Sequence, residues 1–275
     1  MQDTGIASAQ PQPGFTFSGA IAEHYDRCLG PVMFVDYARV MAECVAALRP
    51  SRVLETAAGS GIVTRMLRDH LSADTAMIAT DLNADMLALA ARKIASSDAV
   101  TLERADAQAL PYPDRSFDGL VCQFGVMFYP DKDLGYREAF RVLEPGGHYL
   151  FSFWDAVEFN PFAQVWRKVV LRFCPEDPPP LVPFSYRFDA AKASLIAAGF
   201  DRIEASVVRF EKVIADPEAF ARGLVFGPAA ATFEARGLEK EAIVAATTAT
   251  LTAELGSDPC RTDLQAIFVT ARRPS

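Results

Sequence analysis

The stretch VLETAAGSGIVTRML, residues 53–67, runs an apolar strand-like segment into a glycine-rich turn and then into an amphipathic helix. Gly59 and Gly61 allow the backbone to come close to a ligand, as the first strand-to-helix turn of a nucleotide-binding sheet requires. The ligand is not the usual dinucleotide. The third position of a G-x-G-x-x-G fingerprint is held by Thr64, and no phosphate-loop Lys accompanies the turn. Glu55 stands just before it, where a carboxylate opposes a pyrophosphate and suits a cation. Asp81 follows Gly61 by twenty residues at the end of the next apolar run, and its two oxygens can accept from ribose hydroxyls. Adenosine with a positively charged amino-acid arm satisfies both carboxylates.

The elements that must position these residues alternate in type. Before the turn, Phe34, Ala38, Met41, Val45 and Leu48 recur at helical spacing until Pro50, which predicts one helix ahead of the first strand. From Val53 the text reads apolar run, helix, apolar run, helix, through VLE, AMIATD, VTLERAD, FDGLVCQF and HYLFSFW, with the turn EPGG before the last. That rhythm predicts a parallel sheet covered by helices, five strands being placed by residue 154. A helix PFAQVWRKVVLRF, the proline-rich loop CPEDPPPLVPF and a helix near DAAKASLIAAGF follow. Two further extended runs, RIEASVVRFEKV and LQAIFVTARR, are separated by a helical insertion at about residues 216–259, far longer than an ordinary connection.

Four segments, in order and in register, carry a resemblance: VLETAAGSG, ATDLNADML, RADAQALPYPDRSFDGLVCQFGVMFYPD and EAFRVLEPGGHYLFSFW. With them the chain resembles the class I S-adenosylmethionine-dependent methyltransferases, and within these the type 11 methyltransferase domain. The resemblance implies an α/β Rossmann-like sheet of seven strands with the last strand antiparallel beside the fifth, an N-terminal helical cap and a helical lid. It implies one domain over residues 1–275, with the cap at 15–49, the core at about 50–155, and a substrate and lid part at 156–275. S-adenosylmethionine is the implied cofactor. Ala57, Gly59 and Gly61 would line its methionine part, Asp81 would hold the ribose, and Leu82 and Met86 would pack near the adenine. Asp106, with Ala107 beside it, would accept from the adenine amino group, while Gln123 and Phe124 would face the methionine arm. The N-terminal segment of such enzymes folds across the cofactor, which brings in His24, Tyr25 and Phe34. Ala57 departs from the family's commoner Gly.

Methyl transfer needs an acceptor positioned in line with a sulfonium and shielded from water, and it requires no metal. A general base would serve a hydroxyl or amine acceptor; His24 and Tyr25 are the candidates, and His148, opening an apolar strand, reads as an ordinary strand residue. Trp154, just past the fifth strand, is a candidate wall of the acceptor pocket. In the insertion, Phe220, Leu224, Val225, Phe226 and Phe233 supply apolar surface interrupted by FGP, with Gly227 as a hinge. Such surface must face a core, a partner subunit or a ligand. We read it as a lid on a small apolar or aromatic acceptor, Phe226 included, with a homodimer interface as the alternative.

Composition narrows the partners further. Against 27 Lys and Arg stand 35 Asp and Glu, a net charge of −8 that repels nucleic acid and anionic membranes. CQFGVMF also lacks the Asn/Asp-Pro-Pro-Tyr/Phe signature of enzymes that methylate base amino groups. Five scattered cysteines and three histidines form no metal or disulfide pattern, and no long apolar run occurs. A cytoplasmic enzyme with a small-molecule acceptor, no metal, no nucleic acid and no membrane is the expectation. Two alternatives stay open: a nicotinamide-dependent oxidoreductase, disfavoured by Thr64, Glu55 and the lack of any Tyr-x-x-x-Lys pair, and a non-catalytic S-adenosylmethionine-binding regulatory protein.

Overall fold

The apolar runs of the central strands become strands because both faces of the sheet are covered there, so continuous Val, Leu and Phe text is buried without alternation. The computed structural model describes residues 20–95, 98–227 and 229–275. Its strands are β1 (Arg52–Thr56), β2 (Ala76–Asp81), β3 (Val100–Arg104), β4 (Phe117–Gln123), β5 (Leu143–Trp154), β6 (Asp201–Ile214) and β7 (Cys260–Arg272). They form one sheet in the order β3-β2-β1-β4-β5-β7-β6. β1 to β5 pair in parallel, and β7 lies antiparallel between β5 and β6. The chain winds outward from β1 to β3 and then returns to start β4 on the other side of β1. The crevice at that reversal, beyond the carboxyl ends of β1 and β4, is where ligands of open parallel sheets bind.

β5 begins earlier than HYLFSFW predicts. Leu143 already pairs with Phe117, His148 pairs with Gly119, and the EPGG residues between them form a bulge rather than a separate turn. His148 therefore sits at the amino end of the parallel sheet, opposite Arg272 of β7, far from the carboxyl-end crevice.

Ahead of β1 the structure places α1 (Ala20–His24), a π-helical segment (Tyr25–Phe34) and α2 (Val35–Leu48) in place of one uniform helix. Pro31 has no N–H to give and its ring crowds the preceding turn, and the helix widens there: Val35 N–H donates to Gly30 O, five residues back. Tyr37, Ala38, Met41, Ala42 and Val45 are buried, whereas Leu48 is exposed. Residues 15–19 of the expected cap, and Pro228 of FGP, lie outside the described residues.

After β1 come α3 (Ile62–His70) and α4 (Ala84–Ala91), the latter capped by Asn83, whose side chain accepts from the N–H groups of Asp85 and Met86. α5 (Lys132–Val142), α6 (Pro161–Phe173) and α7 (Phe188–Ala198) follow. The insertion between β6 and β7 consists of α8 (Pro217–Val225), α9 (Ala230–Ala235) and α10 (Lys240–Leu255). Phe233 of α9 is fully buried, its ring 5.9 Å from that of Trp166 on α6. No helix among the described residues is long and apolar enough to cross a membrane.

Candidate cofactor and acceptor site

The turn after β1 is held in left-handed backbone. Ala57 has φ 53°, Gly59 φ 57° and Gly61 φ 80°. Each glycine answers a different demand. A Cβ at Gly61 would stand 2.8 Å from Ala90 Cβ and 2.9 Å from its Cα, so this glycine lets α3 and α4 close together, whereas a Cβ at Gly59 would meet nothing within 4 Å. Gly59 therefore presents an open face. Ala57 takes a conformation that costs a residue with a Cβ about 1–2 kcal/mol. Its methyl occupies space left by Gly125, where a Cβ would come within 2.5 Å of it.

Two carboxylates flank the turn. Asp81, at the end of β2, accepts from Gly59 N–H through Oδ2 and from Asn83 N–H through Oδ1, each at 2.8 Å. Burial raises its pKa against the opposing effect of those hydrogen bonds. Glu55 is 1% exposed, its Oε2 has no hydrogen-bond partner, and burial pushes its pKa up to about 8. A buried, half-satisfied carboxyl of this kind is stabilised by an arriving cation.

The N-terminal segment is pinned over the turn by charge. Lys93 Nζ donates to Asp26 Oδ1 at 2.5 Å and to Ser60 O at 2.8 Å, and Ser60 Oγ donates to the same Asp26 oxygen at 2.5 Å. None of these three residues stood out in the sequence, because partners 33 to 67 positions apart leave no local pattern. Met86 packs with Ala22, Leu89 and Tyr25, while Leu82 remains exposed, its carbonyl accepting from Arg104 Nε. Ala105 N–H donates to Asp81 O, which sets the loop bearing Asp106 and Ala107 beside the end of β2; Asp106 Oδ1 accepts from Gln108 N–H at 2.8 Å.

At the ends of β4 and β5 the predicted residues meet directly. Phe124, with φ 56°, stacks on Trp154 at 4.2 Å between ring centroids. Phe34 lies 5.7 Å from Phe124, 6.3 Å from Trp154 and 5.1 Å from Tyr25. Gln123 Nε2 donates to Phe34 O at 3.4 Å, and its buried Oε1 has no hydrogen-bond partner. Tyr25 is held protonated: burial, reinforced by Asp26 and Asp81, raises its pKa, which opposes a role as base.

Behind this aromatic wall lies a cavity of about 170 Å³. Tyr25, Met33 and Phe34 face it from the π-helical segment, Trp154 and Trp166 from β5 and α6, and Pro179 to Phe184 from the proline-rich loop. Leu224, Ala229 and Thr232 close it from the insertion. Among these described lining residues Tyr25 is the only one with an ionisable side chain. Neither Phe226 nor His24 is among the residues that line the cavity: α8 stops at Val225, and Phe226 is half-buried 6.0 Å from the His24 ring, under the cations of Arg222 and Lys240. Helical spacing marked the apolar side of α8, but the end of the helix, which decides where Phe226 goes, was not legible in it.

The sequence model of the ubiE/COQ5 methyltransferase family matches residues 18–176, more than half of the chain. The protein belongs to this family. It is 28% identical over 179 residues to the ubiquinone/menaquinone biosynthesis C-methyltransferase UbiE of Stenotrophomonas maltophilia, covering 62% of this chain and 68% of that one. To the UbiE of Pectobacterium carotovorum subsp. carotovorum it is 35% identical over 115 residues, 41% of this chain and 46% of the other. Among solved structures, the YcgJ protein of Bacillus subtilis superposes with a TM-score of 0.58 at 18% identity, covering 86% of this chain and 98% of that chain. Phosphoethanolamine N-methyltransferase 2 of Haemonchus contortus, solved with phosphomonomethylethanolamine and S-adenosylhomocysteine, superposes at 0.59 and 15% identity, with 92% and 57% covered. These two likenesses show the fold. The ubiE/COQ5 family member described here is thus an S-adenosylmethionine-dependent methyltransferase, and the nicotinamide reading falls. The site fits that cofactor: Gly59 offers an unobstructed face, and Glu55 an unpaired buried carboxyl oxygen.

Proposed function

We propose that this methyltransferase acts on a small, largely apolar or aromatic acceptor held in the cavity behind Phe34 and Trp154. S-adenosylmethionine, when bound, supplies an electrophilic methyl group on a sulfonium. In this reading Ala57, Gly59 and Gly61 form its cradle, Glu55 balances its positive charge, and Asp81 and Asp106 orient the nucleoside with Leu82, Met86 and Ala107 around it. Gln123, Phe124, Tyr25 and Phe34 separate cofactor from acceptor. The N-terminal segment and the insertion act as the lid that excludes water.

One observation carries the proposal: apart from the hydroxyls of Tyr25 and Thr232 and the indole N–H groups, the cavity wall is built from apolar side-chain surface, with no carboxylate, imidazole or amine among its described residues. A charged acceptor would lose its hydration there without a partner. The same wall holds nothing to take up a proton, since Tyr25 stays neutral. The acceptor therefore brings a nucleophile that is reactive while neutral, as an electron-rich ring carbon is, and the proton that carbon sheds after methylation leaves to solvent. The UbiE relatives, named for C-methylation in quinone biosynthesis, support an acceptor of that kind. Pro179 to Phe184 and the insertion lie beyond residue 176, outside the matched segment, so that part of the cavity wall is not shared with the family model.

The test is formation of S-adenosylhomocysteine with a panel of quinols and phenols, aliphatic amines, amino acids and single-stranded nucleic acid. Turnover confined to the aromatic members is expected. Turnover only with charged or polymeric acceptors would overturn the reading.

A further inference from the structure

β6 ends the sheet. β7 pairs along one side of it from Asp201 to Ile214, and among the described residues no strand pairs along the other. Natural sheets protect such an edge with prolines, bulges or charges, or cover it. β6 contains no proline, and its irregularity is confined to its start, between Asp201 and Glu204. From there onward its outer edge makes no backbone hydrogen bond among the described residues, and its charges Arg209, Glu211 and Lys212 are themselves paired, with Asp263, Arg261 and Asp36.

Alternation puts Val207, Arg209, Glu211 and Val213 on one face of this strand. All four are exposed, Val207 by 60% and Val213 by 42%. Arg209 is bonded to Asp263 at 2.6 Å and Glu211 to Arg261 at 2.8 Å, both on β7, yet the two side chains remain 62% and 64% exposed. The order apolar, cation, anion, apolar becomes its own electrostatic complement when the strand is reversed.

We infer that this edge is an interface with a second copy of the chain, β6 running antiparallel to β6 with the two-fold axis at Phe210. A two-fold axis normal to a sheet leaves each side chain on its own face, so one residue must lie opposite itself. Centring on Arg209 or Glu211 sets like charges against each other. Centring on Val208 or Lys212 sets valine against charge on the exposed face. Centring on Phe210 pairs, on that face, Val207 with Val213 of the second copy and Arg209 with Glu211 of the second copy, each contact occurring twice; on the opposite face it sets Val208 beside Lys212 of the second copy, whose amine is already paired with Asp36. The existing ion pairs then extend into rows of four charges, from Asp263 through Arg209 to Glu211 and Arg261 of the second copy. On the opposite face Phe210 stands edge-on to Tyr37 at 5.0 Å, and Tyr37 edge-on to Trp154 at 5.4 Å. The axis thus lies two ring contacts from the acceptor cavity, although the inference does not depend on what occupies it.

Sedimentation velocity on the full chain over about a hundredfold concentration range reads the dimer directly. Arg209→Glu and Glu211→Arg each place like charges opposite one another twice, and each alone is expected to raise the dimer dissociation constant at least about tenfold. Mixing the two variants restores opposite charges at every position and re-forms a dimer, which no loss of folding could mimic. Register is read by oxidation in a Cys44→Ser background, Cys44 being exposed. Val207→Cys combined with Val213→Cys forms an intermolecular disulfide. Either cysteine alone does not, since its symmetry mate lies six residues away, roughly 20 Å. A monomer at every concentration, a dimer indifferent to the charge reversals, failure to re-form on mixing, or equal cross-linking by the single cysteines would overturn the inference.

Discussion

Gly59 and Gly61 stand two residues apart with similar backbone, yet adding a methyl group to each should produce different failures. Both φ values are positive, so either alanine incurs about 1–2 kcal/mol of backbone strain. At Gly59 that is the whole cost, because the new Cβ meets nothing within 4 Å. At Gly61 the Cβ would stand 2.8 and 2.9 Å from Ala90, half of that contact being helix backbone that cannot rotate away. Overpacking of this kind adds about 1–3 kcal/mol. With roughly 2–4 °C per kcal/mol for a chain near this size, Gly59→Ala lowers Tm by about 2–8 °C and Gly61→Ala by about 4–20 °C. Ligand binding should rank them the other way. The open space at Gly59 lies on the face assigned to the cofactor, so its alanine weakens S-adenosylmethionine binding at least about tenfold, or about 1.4 kcal/mol. The folded fraction of Gly61→Ala should bind within a few-fold of the parent. Denaturation and calorimetric titration of both variants decide the matter. Parental affinity in Gly59→Ala would refute the cradle, and parental stability in Gly61→Ala would refute the packing argument.

Glu55 predicts a pH dependence whose sign follows from its raised folded-state pKa of about 8. The unfolded chain ionises first, so stability without cofactor should fall as pH rises from about 4.5 to 8, by on the order of 5 kcal/mol, and then level off. Glu55→Gln should flatten that slope in denaturation curves at pH 5 and pH 8, and an unchanged slope would show that another group carries it. Asp81→Ala should weaken S-adenosylmethionine binding by about 1–3 kcal/mol, and Asp106→Ala by less, as titration will show. Ala229→Phe, which fills the cavity from the insertion, should lower acceptor kcat/KM at least about tenfold and leave cofactor affinity within about twofold. Phe226→Ala, outside the cavity, should change neither by more than about twofold, and the reverse ranking would remove the insertion's assigned contact.

The core was legible because its signals are local. β1, β2 and β4 are short, mainly apolar runs bounded by turn residues, and burial on both faces of the sheet's centre makes such runs nearly continuous. Glu55 and Asp81 were legible too, since a carboxyl at the end of a buried strand asks for a cation or a donor wherever it sits. The place of β7 between β5 and β6 was not written in its own residues and came from resemblance. The π-helical turn at Pro31 escaped because the apolar spacing of Phe34, Ala38 and Met41 fits an uninterrupted helix equally well. Asp26, Ser60 and Lys93 escaped for a different reason: three polar residues in three segments become one site only after the chain has folded.

The cavity proposed for the acceptor was the least legible part, and its construction explains why. The groups assigned to the cofactor are tied to strand ends, where the sheet register fixes them: Gln123 lies opposite Ser152, and Ala105 binds back to the end of β2. The far wall of the cavity instead comes from the loop between α6 and α7, from α9 and from the end of α8, segments that lie between elements of the sheet and not at strand ends. Apolar residues there look the same in sequence whether they face a core, a ligand or solvent. Within ten residues of one helical insertion Phe233 is buried in the core, Leu224 lines the cavity, and Phe226 is half-buried beside His24, Arg222 and Lys240. Substitution in these segments can reshape the cavity without disturbing Gly59 or Asp81, which is how a shared cofactor scaffold comes to serve different acceptors.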